Sequence, residues 1–168
     1  MRWFLWCAVV GCGRVAFDPT ADAAPDGSIG CAAPYVTVDG GCFRFVSTPA
    51  PWLAAEQDCE DDATDAHLVV IATVAEHFTI HAMTPGVPDV WLGYTDRVTE
   101  ARVAWITDGG LDPTSNPCFF GATVNALDAD CVTQNAATSC GDWFYRRCGE
   151  SHAYVCERDG SRPDSMTY

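Results

Sequence analysis

At 168 residues the chain is long enough for one domain with a packed interior and too short for two, and six Trp, eight Phe and five Tyr supply the apolar volume such an interior needs. The 23 acidic residues outnumber nine basic ones, all of them Arg, and the net charge of -14 repels phosphate backbones and anionic lipid surfaces, which excludes nucleic acid and direct lipid-surface contact as main partners. Ten cysteines in a chain of this size argue for an oxidising compartment.

The N-terminus offers a route to that compartment. Met1-Arg2 carries a positive charge, and residues 3–10 are an apolar run far shorter than the roughly 20 residues needed to span a bilayer, so the run fits the h-region of a signal peptide and not a transmembrane helix. Val9-Val10-Gly11-Cys12 looks like the lipobox of bacterial lipoproteins, in which the cysteine is diacylated and becomes the first mature residue. Residues 1–11 are then a signal peptide and Cys12 is the lipidation site; an ordinary secretory leader cut a few residues later is the alternative. Either reading leaves Cys31, Cys42, Cys59, Cys118, Cys131, Cys140, Cys148 and Cys156, an even set that implies four disulfides in any of about 105 connectivities. With Cys12 lipidated, the segment that follows it to residue 30 has Asp-Pro and Pro-Asp-Gly and no apolar period, as expected of a disordered tether.

From Cys31 the pattern becomes that of a folded domain, with Asp39-Gly40-Gly41 as a hairpin-type turn before the alternating strand Phe43-Arg44-Phe45-Val46. After Pro49 and Pro51, Trp52, Ala55, Cys59 and Ala63 recur at three- and four-residue steps and predict a helix, its outer faces filled by Glu56, Asp58, Glu60, Asp61 and Asp62. The apolar segment Leu68-Val69-Val70-Ile71 follows. Thr73-Val74-Ala75-Glu76 has the form of a capping box, opening a second helix that runs to about Met83 and stops at Pro85-Gly86. Val90-Trp91-Leu92-Gly93-Tyr94 is a short bounded apolar run, a buried central strand in which Gly93 implies that another backbone or a ring passes close by. Val103-Ala104-Trp105-Ile106 reads as its partner, before the turn Asp108-Gly109-Gly110. Residues 111–129 have no sustained period, and so long a connection inside a compact domain is commonly functional. Two last strands are predicted, over residues 142–147 and 153–156, and the polar segment 159–168 reads as a disordered tail.

A set of ordered elements carries a specific likeness. Cys31 and Cys42 with ten residues between them, Trp52-x-x-Ala55-x-x-x-Cys59, Leu68-x-x-Ile71, Glu76-x-Phe78, Trp91-Leu92-Gly93-Tyr94, Trp105 before Asp108-Gly109, Asp130-Cys131-Val132, Trp143 before Cys148, and Tyr154-Val155-Cys156-Glu157 together resemble the signature of C-type lectin-like domains over residues 31–158. The resemblance implies an α+β double-loop fold with two helices flanking small antiparallel sheets, chain ends brought together, and a long loop presenting the ligand surface. It also implies the pairs Cys59 with Cys156, Cys131 with Cys148 and Cys31 with Cys42, leaving Cys118 and Cys140 as a clip across the long loop.

Sugar-binding members hold calcium on a Glu-Pro-Asn or Gln-Pro-Asp triplet, an acid before the cysteine matched by Cys131, and an Asn-Asp pair after the tryptophan matched by Trp143. Here those positions read Asn116-Pro117-Cys118, Ala129-Asp130 and Phe144-Tyr145, a set too poor in oxygen for a cation that wants six to eight such ligands. Asp128, Asp130 and Asp142, with Asn125, are the residues from which a divalent site would have to be rebuilt, and no cofactor is expected.

His77 and His81 lie four apart on the second helix and read as two surface histidines with no third metal ligand nearby. No nucleophile elbow and no phosphate-cradling glycine loop are present, and four disulfides leave no free thiol, so a non-enzymatic recognition module is expected. Its partner is a glycan, bound without the usual calcium through Asn116, Phe119, Phe120, Asn125, Trp143, Tyr145 and Arg146; the alternative is a surface protein.

Overall fold

The computed structural model describes residues 31–116, 118, 128–166 and 168. The leader, Cys12, the tether, and the ligand candidates Phe119, Phe120 and Asn125 lie outside the described residues. The domain is built around β4 (Val90–Thr95), every residue of which is buried. Successive side chains of a strand face opposite ways, so Trp91 enters one apolar cluster with Trp52, Cys59 and Tyr154, while Val90, Leu92 and Tyr94 enter another with Ile80, Val132 and Trp143. Gly93 has the close neighbour expected of it. A Cβ there would stand 2.7 Å from Ile106 Cδ1 and 2.8 Å from the Leu68 carbonyl oxygen, because the Gly93 N–H donates to Val69 O and its carbonyl accepts from Ile106 N.

The strands form a single sheet in the order β1-β2-β8-β4-β6-β7, where β1 is Val36–Val38, β2 Gly41–Ala50, β6 Cys131–Asn135, β7 Asp142–Arg146 and β8 His152–Arg158. Further pairs are β3 (Ala66–Leu68) on β8 and β5 (Ala104–Trp105) on β4. The small antiparallel sheets expected from the sequence are thus joined into one mixed sheet, because β4 and β8 pair in parallel at Val90 with Ala153 and Trp91 with Tyr154. The β1–β2 turn has Asp39 and Gly40 both at positive φ, as the tight hairpin requires.

Helix α1 (Trp52–Glu60) buries Trp52, Ala55 and Cys59 as the spacing predicts, but it also buries Glu56, which polarity had assigned to the outer face. The Glu56 carboxylate accepts the Leu68 N–H at 2.7 Å, serving a backbone donor that the short β3 leaves unpaired. Helix α2 (Val74–Met83) starts at the Thr73 cap, whose hydroxyl accepts from Glu76 N, while the Glu76 carboxylate takes the amide of Ala72 in place of that of Thr73.

Four disulfides join Cys31 to Cys42, Cys59 to Cys156, Cys118 to Cys140 and Cys131 to Cys148, the pairing implied by the resemblance. The segment after β8 departs from the expected disordered tail and packs back on the domain. Asp164 N donates to Ile106 O at 2.8 Å, and the Tyr168 ring meets Trp52 edge-on at 5.7 Å with its hydroxyl donating to Glu60. Among the described residues, no helix is long and apolar enough to cross a membrane.

Candidate functional site

The base of the long connection is organised by His77, which is fully buried and not at the surface as its sequence suggested. Its Nε2–H donates to Cys140 O at 2.8 Å, and its Nδ1 accepts from Trp143 Nε1 at 3.1 Å and from Asn116 Nδ2 at 3.2 Å. Two donors on Nδ1 and an acceptor opposite Nε2 fix the neutral Nε2–H tautomer. Burial, and then the neighbouring His81, lower its pKa against the opposing Cys140 carbonyl. Asn116 Oδ1 accepts from Cys118 N at 2.9 Å, so the network closes on the Cys118–Cys140 bridge. His81, half-buried, donates through Nε2 to Thr138 O at 2.8 Å.

Above this base lies a shelf of rings. Tyr94 and Trp105 stack at 4.5 Å between centroids, and Trp105 meets the buried Trp143 edge-on at 5.6 Å. Trp105 donates its Nε1–H to Leu111 O at 2.9 Å, and Gly110 is obligatory beside it, since a Cβ there would fall 1.9 Å from the indole. Burial raises the Tyr94 pKa, with Tyr145, Asp112 and Asp96 adding to the effect, and burial followed by Asp96 raises that of Tyr145. The Tyr94 hydroxyl thus has Tyr145, the exposed Asp112 and the buried Asp96 in its neighbourhood, while Trp105 covers the Tyr94 ring.

The residues nominated from sequence divide. Tyr145 lies on the shelf, half-buried. Trp143 and Asn116 are beneath it, 0% and 4% exposed, and act as supports. Arg146 is on the opposite face of β7, held by Asp89 at 3.1 Å and stacked over Phe144 at 5.2 Å. Strand alternation separates Tyr145 from Arg146 and is the reason the set does not converge.

The three aspartates also stay apart. Asp128 pairs with Arg147 at 2.8 Å. Asp130 lies beside Asp96, partial burial and then the Asp96 charge raising its pKa, and exposed Glu100 adds a third carboxylate there. Asp142 pairs with Asn135 at the far end of the hairpin from Cys131, roughly 16 Å along the strand from Asp130. At the positions matched to a sugar-coordinating calcium, Asn116 Oδ1 is turned inward on Cys118 N, Cys118 is in a disulfide, Ala129 and Phe144 bring no side-chain oxygen, and Asp130 and Tyr145 bring one carboxylate and one phenol, a poor oxygen set for that ion.

Sequence reading missed Asp96 and Asp112 as neighbours of the Tyr94 hydroxyl; for Asp96 the two-residue step from Tyr94 was the available signal.

The profile described as the lectin C-type domain matches residues 48–158. The human protein C-type lectin domain family 17, member A is 31% identical over 132 residues, covering 77% of this chain and 32% of that protein, so the chain spans about a third of that relative's length. The mouse scavenger receptor C-type lectin carbohydrate-recognition domain superposes with a TM-score of 0.64 at 26% identity, over 80% of this chain and 98% of that one. A calcium-independent type II antifreeze protein superposes with a TM-score of 0.63 at 26% identity, over 76% and 93% of the two chains. With the profile spanning most of the domain, the four bridges in place and the fold shared with these neighbours, the chain belongs to the C-type lectin domain family.

Proposed function

We propose that this domain is an extracytoplasmic, non-enzymatic recognition module that binds glycan without a sugar-coordinating calcium. The observation that carries this reading is the pair of half-buried rings Trp105 and Tyr145, packed on the core that holds Tyr94 and Trp143, with the exposed Asp112 carboxylate near the Tyr94 hydroxyl. Aromatic faces cover the apolar side of a sugar ring, and carboxylates accept hydrogen bonds from its hydroxyls, so the two together supply what a pyranose needs without a metal. A glycan array probed in calcium and again in chelator tests it: the same glycans are bound in both, and Tyr145→Ala weakens them. Loss of all binding in chelator contradicts it.

The alternative, recognition of a surface protein, is favoured by a separate feature. An open, largely apolar groove of about 590 Å³ runs between the β1–β2 hairpin and α2, lined by Val38, Phe43, Ala75, Phe78 and Ala82, with Phe78 43% exposed. Binding of a protein ligand that Phe78→Ser abolishes and Tyr145→Ala leaves intact would move the function to this face. In either case the domain works outside the cytoplasm, held at the cell envelope through Cys12 or secreted.

A further inference from the structure

Three side chains that the ring shelf does not use converge where β3 meets β8. The β3–β8 register sets His67 directly opposite Glu157, and Asp159 follows two residues later, so all three leave the sheet on one side. One ligand atom from each lies within 4.8 Å of the others. His67 and Glu157 are 0% and 5% exposed, whereas Asp159 keeps 35% of its side chain in solvent.

The imidazole is oriented as a ligand. Its Nδ1 lies 2.9 Å from Leu68 O, a pure acceptor, and therefore carries hydrogen. Nε2 then faces Asp159 Oδ1 at 3.2 Å. A bare lone pair against a carboxylate oxygen is repulsive, so a positive centre must stand between them, either a proton or a metal ion. Donation of the second ring nitrogen to a backbone carbonyl is the arrangement metal-bound histidines adopt. Glu157 is held as well, one oxygen accepting from Val70 N at 3.0 Å. Burial, and then the nearby Glu76, hold the Glu157 carboxyl well above the usual carboxylate range, so a cation there replaces a proton.

We propose that His67, Glu157 and Asp159 bind a zinc-class divalent cation, which clamps the segment after β8 to the sheet. One imidazole nitrogen with two carboxylates suits zinc, whereas calcium and magnesium take oxygen throughout. Ligand atoms about 2.1 Å from a tetrahedral ion stand roughly 3.4 Å apart, so the site tightens on binding; Asp159, the ligand nearest solvent, is steadied by Ser161, whose N–H and hydroxyl donate to its carboxylate at 2.7 and 3.1 Å. The competing occupant is the His67 proton. Burial works against the imidazolium, but the Asp159 carboxylate, the Leu68 carbonyl and Glu157 together raise its pKa. Zinc competes with protons for these ligands, so binding releases protons and apparent affinity falls as pH falls.

Titration calorimetry of zinc into the full, oxidised chain, near pH 7.5 in two buffers of different ionisation enthalpy, tests the proposal. The expected result is one ion per chain with buffer-dependent heat and no competition from millimolar calcium. Asp159→Asn, on the exposed side, weakens binding by more than the about 10–100-fold that loss of an outer-sphere partner brings. His67→Gln abolishes it, and His81→Gln leaves it unchanged. If His67→Gln fails to fold, Glu157→Gln with Asp159→Asn decides. Absence of stoichiometric zinc binding, or binding that survives Asp159→Asn together with either buried-ligand variant, overturns the site and leaves an ordinary ion pair.

Discussion

The Trp143 indole, on β7, donates to the Nδ1 of His77, on α2, at 3.1 Å, and the same nitrogen takes the amide of Asn116. One buried imidazole thus ties a helix, a strand and the start of the long connection, and through Cys140 O it ties the hairpin turn as well.

Replacing His77 by Phe leaves two buried donors without their acceptor, at about 1–3 kcal/mol each. We expect a loss of about 2–6 kcal/mol in denaturant unfolding, together with a changed near-ultraviolet signal from Trp143. An unchanged midpoint would show that the network contributes nothing to stability.

The same residue gives a pH dependence. The folded pKa of His77, faced by His81 and Asp142, lies below the unfolded value of about 6.5. Its contribution is therefore fully present above about pH 6.5 and is lost as pH falls through the folded value. The stability gap between the wild type and His77→Gln should shrink from neutral pH toward pH about 5. A gap independent of pH would contradict the fixed neutral tautomer.

Glu56 runs the other way. Burial pushes its carboxyl up to about 8, against the Leu68 N–H and the nearby His67, which lower it. A raised folded value means a contribution fully present below the unfolded value of about 4.3 and lost as pH rises through about 8. Glu56→Gln keeps an acceptor for Leu68 N and removes the charge, so it should be the more stable protein at alkaline pH, by on the order of a few kcal/mol. Parallel stability curves for the two proteins between pH about 5 and 9 would show that Glu56 is not held neutral.

The bridges differ in what they hold. Cys59–Cys156 closes 97 residues and lies in the core with Trp52 and Trp91, and the chain-entropy value for that span is about 4.7 kcal/mol. Cys118–Cys140 closes 22 residues, worth about 3.4 kcal/mol, and sits beside the His77 network. Removing the second pair should leave a cooperative unfolding transition with altered Trp143 signals, and removing the first should cost more and disturb the core. A larger loss from the second pair would reverse this ranking.

The main elements were legible in the sequence because they rest on patterns longer than one residue. The bounded run at Trp91 and Leu92, the Asp39-Gly40 turn and the Trp52, Ala55, Cys59 spacing each use several positions that agree. Glu56 and His77 were misplaced because polarity outweighed spacing. Glu56 is four residues from Trp52 and three from Cys59, and His77 is three from Ile80, so helical period alone puts both inward. What polarity did not convey is that a backbone group waits inside for each, Leu68 N for one and Cys140 O for the other. The segment after β8 was illegible for a different reason: it is held by single contacts, such as Asp164 on Ile106 and Tyr168 on Trp52, which leave no periodic trace. Arg146 was grouped with Tyr145 although adjacent residues of a strand face opposite ways.

Anchoring is tested separately from binding. If Cys12 is the lipidated residue, Cys12→Ser should release the protein from the membrane fraction without changing the behaviour of the domain, and a variant that stays membrane-bound would contradict the lipobox.

Recognition without a sugar-coordinating calcium is tested by calorimetric titration of calcium into the oxidised chain, followed by glycan binding in chelator. A negligible change in melting temperature at millimolar calcium is expected, with glycan binding that persists in chelator and falls with Tyr145→Ala. Tight, stoichiometric calcium binding that is lost in Asp128→Ala or Asp130→Ala, with glycan binding lost alongside it, would contradict the account and make the domain a calcium-dependent lectin.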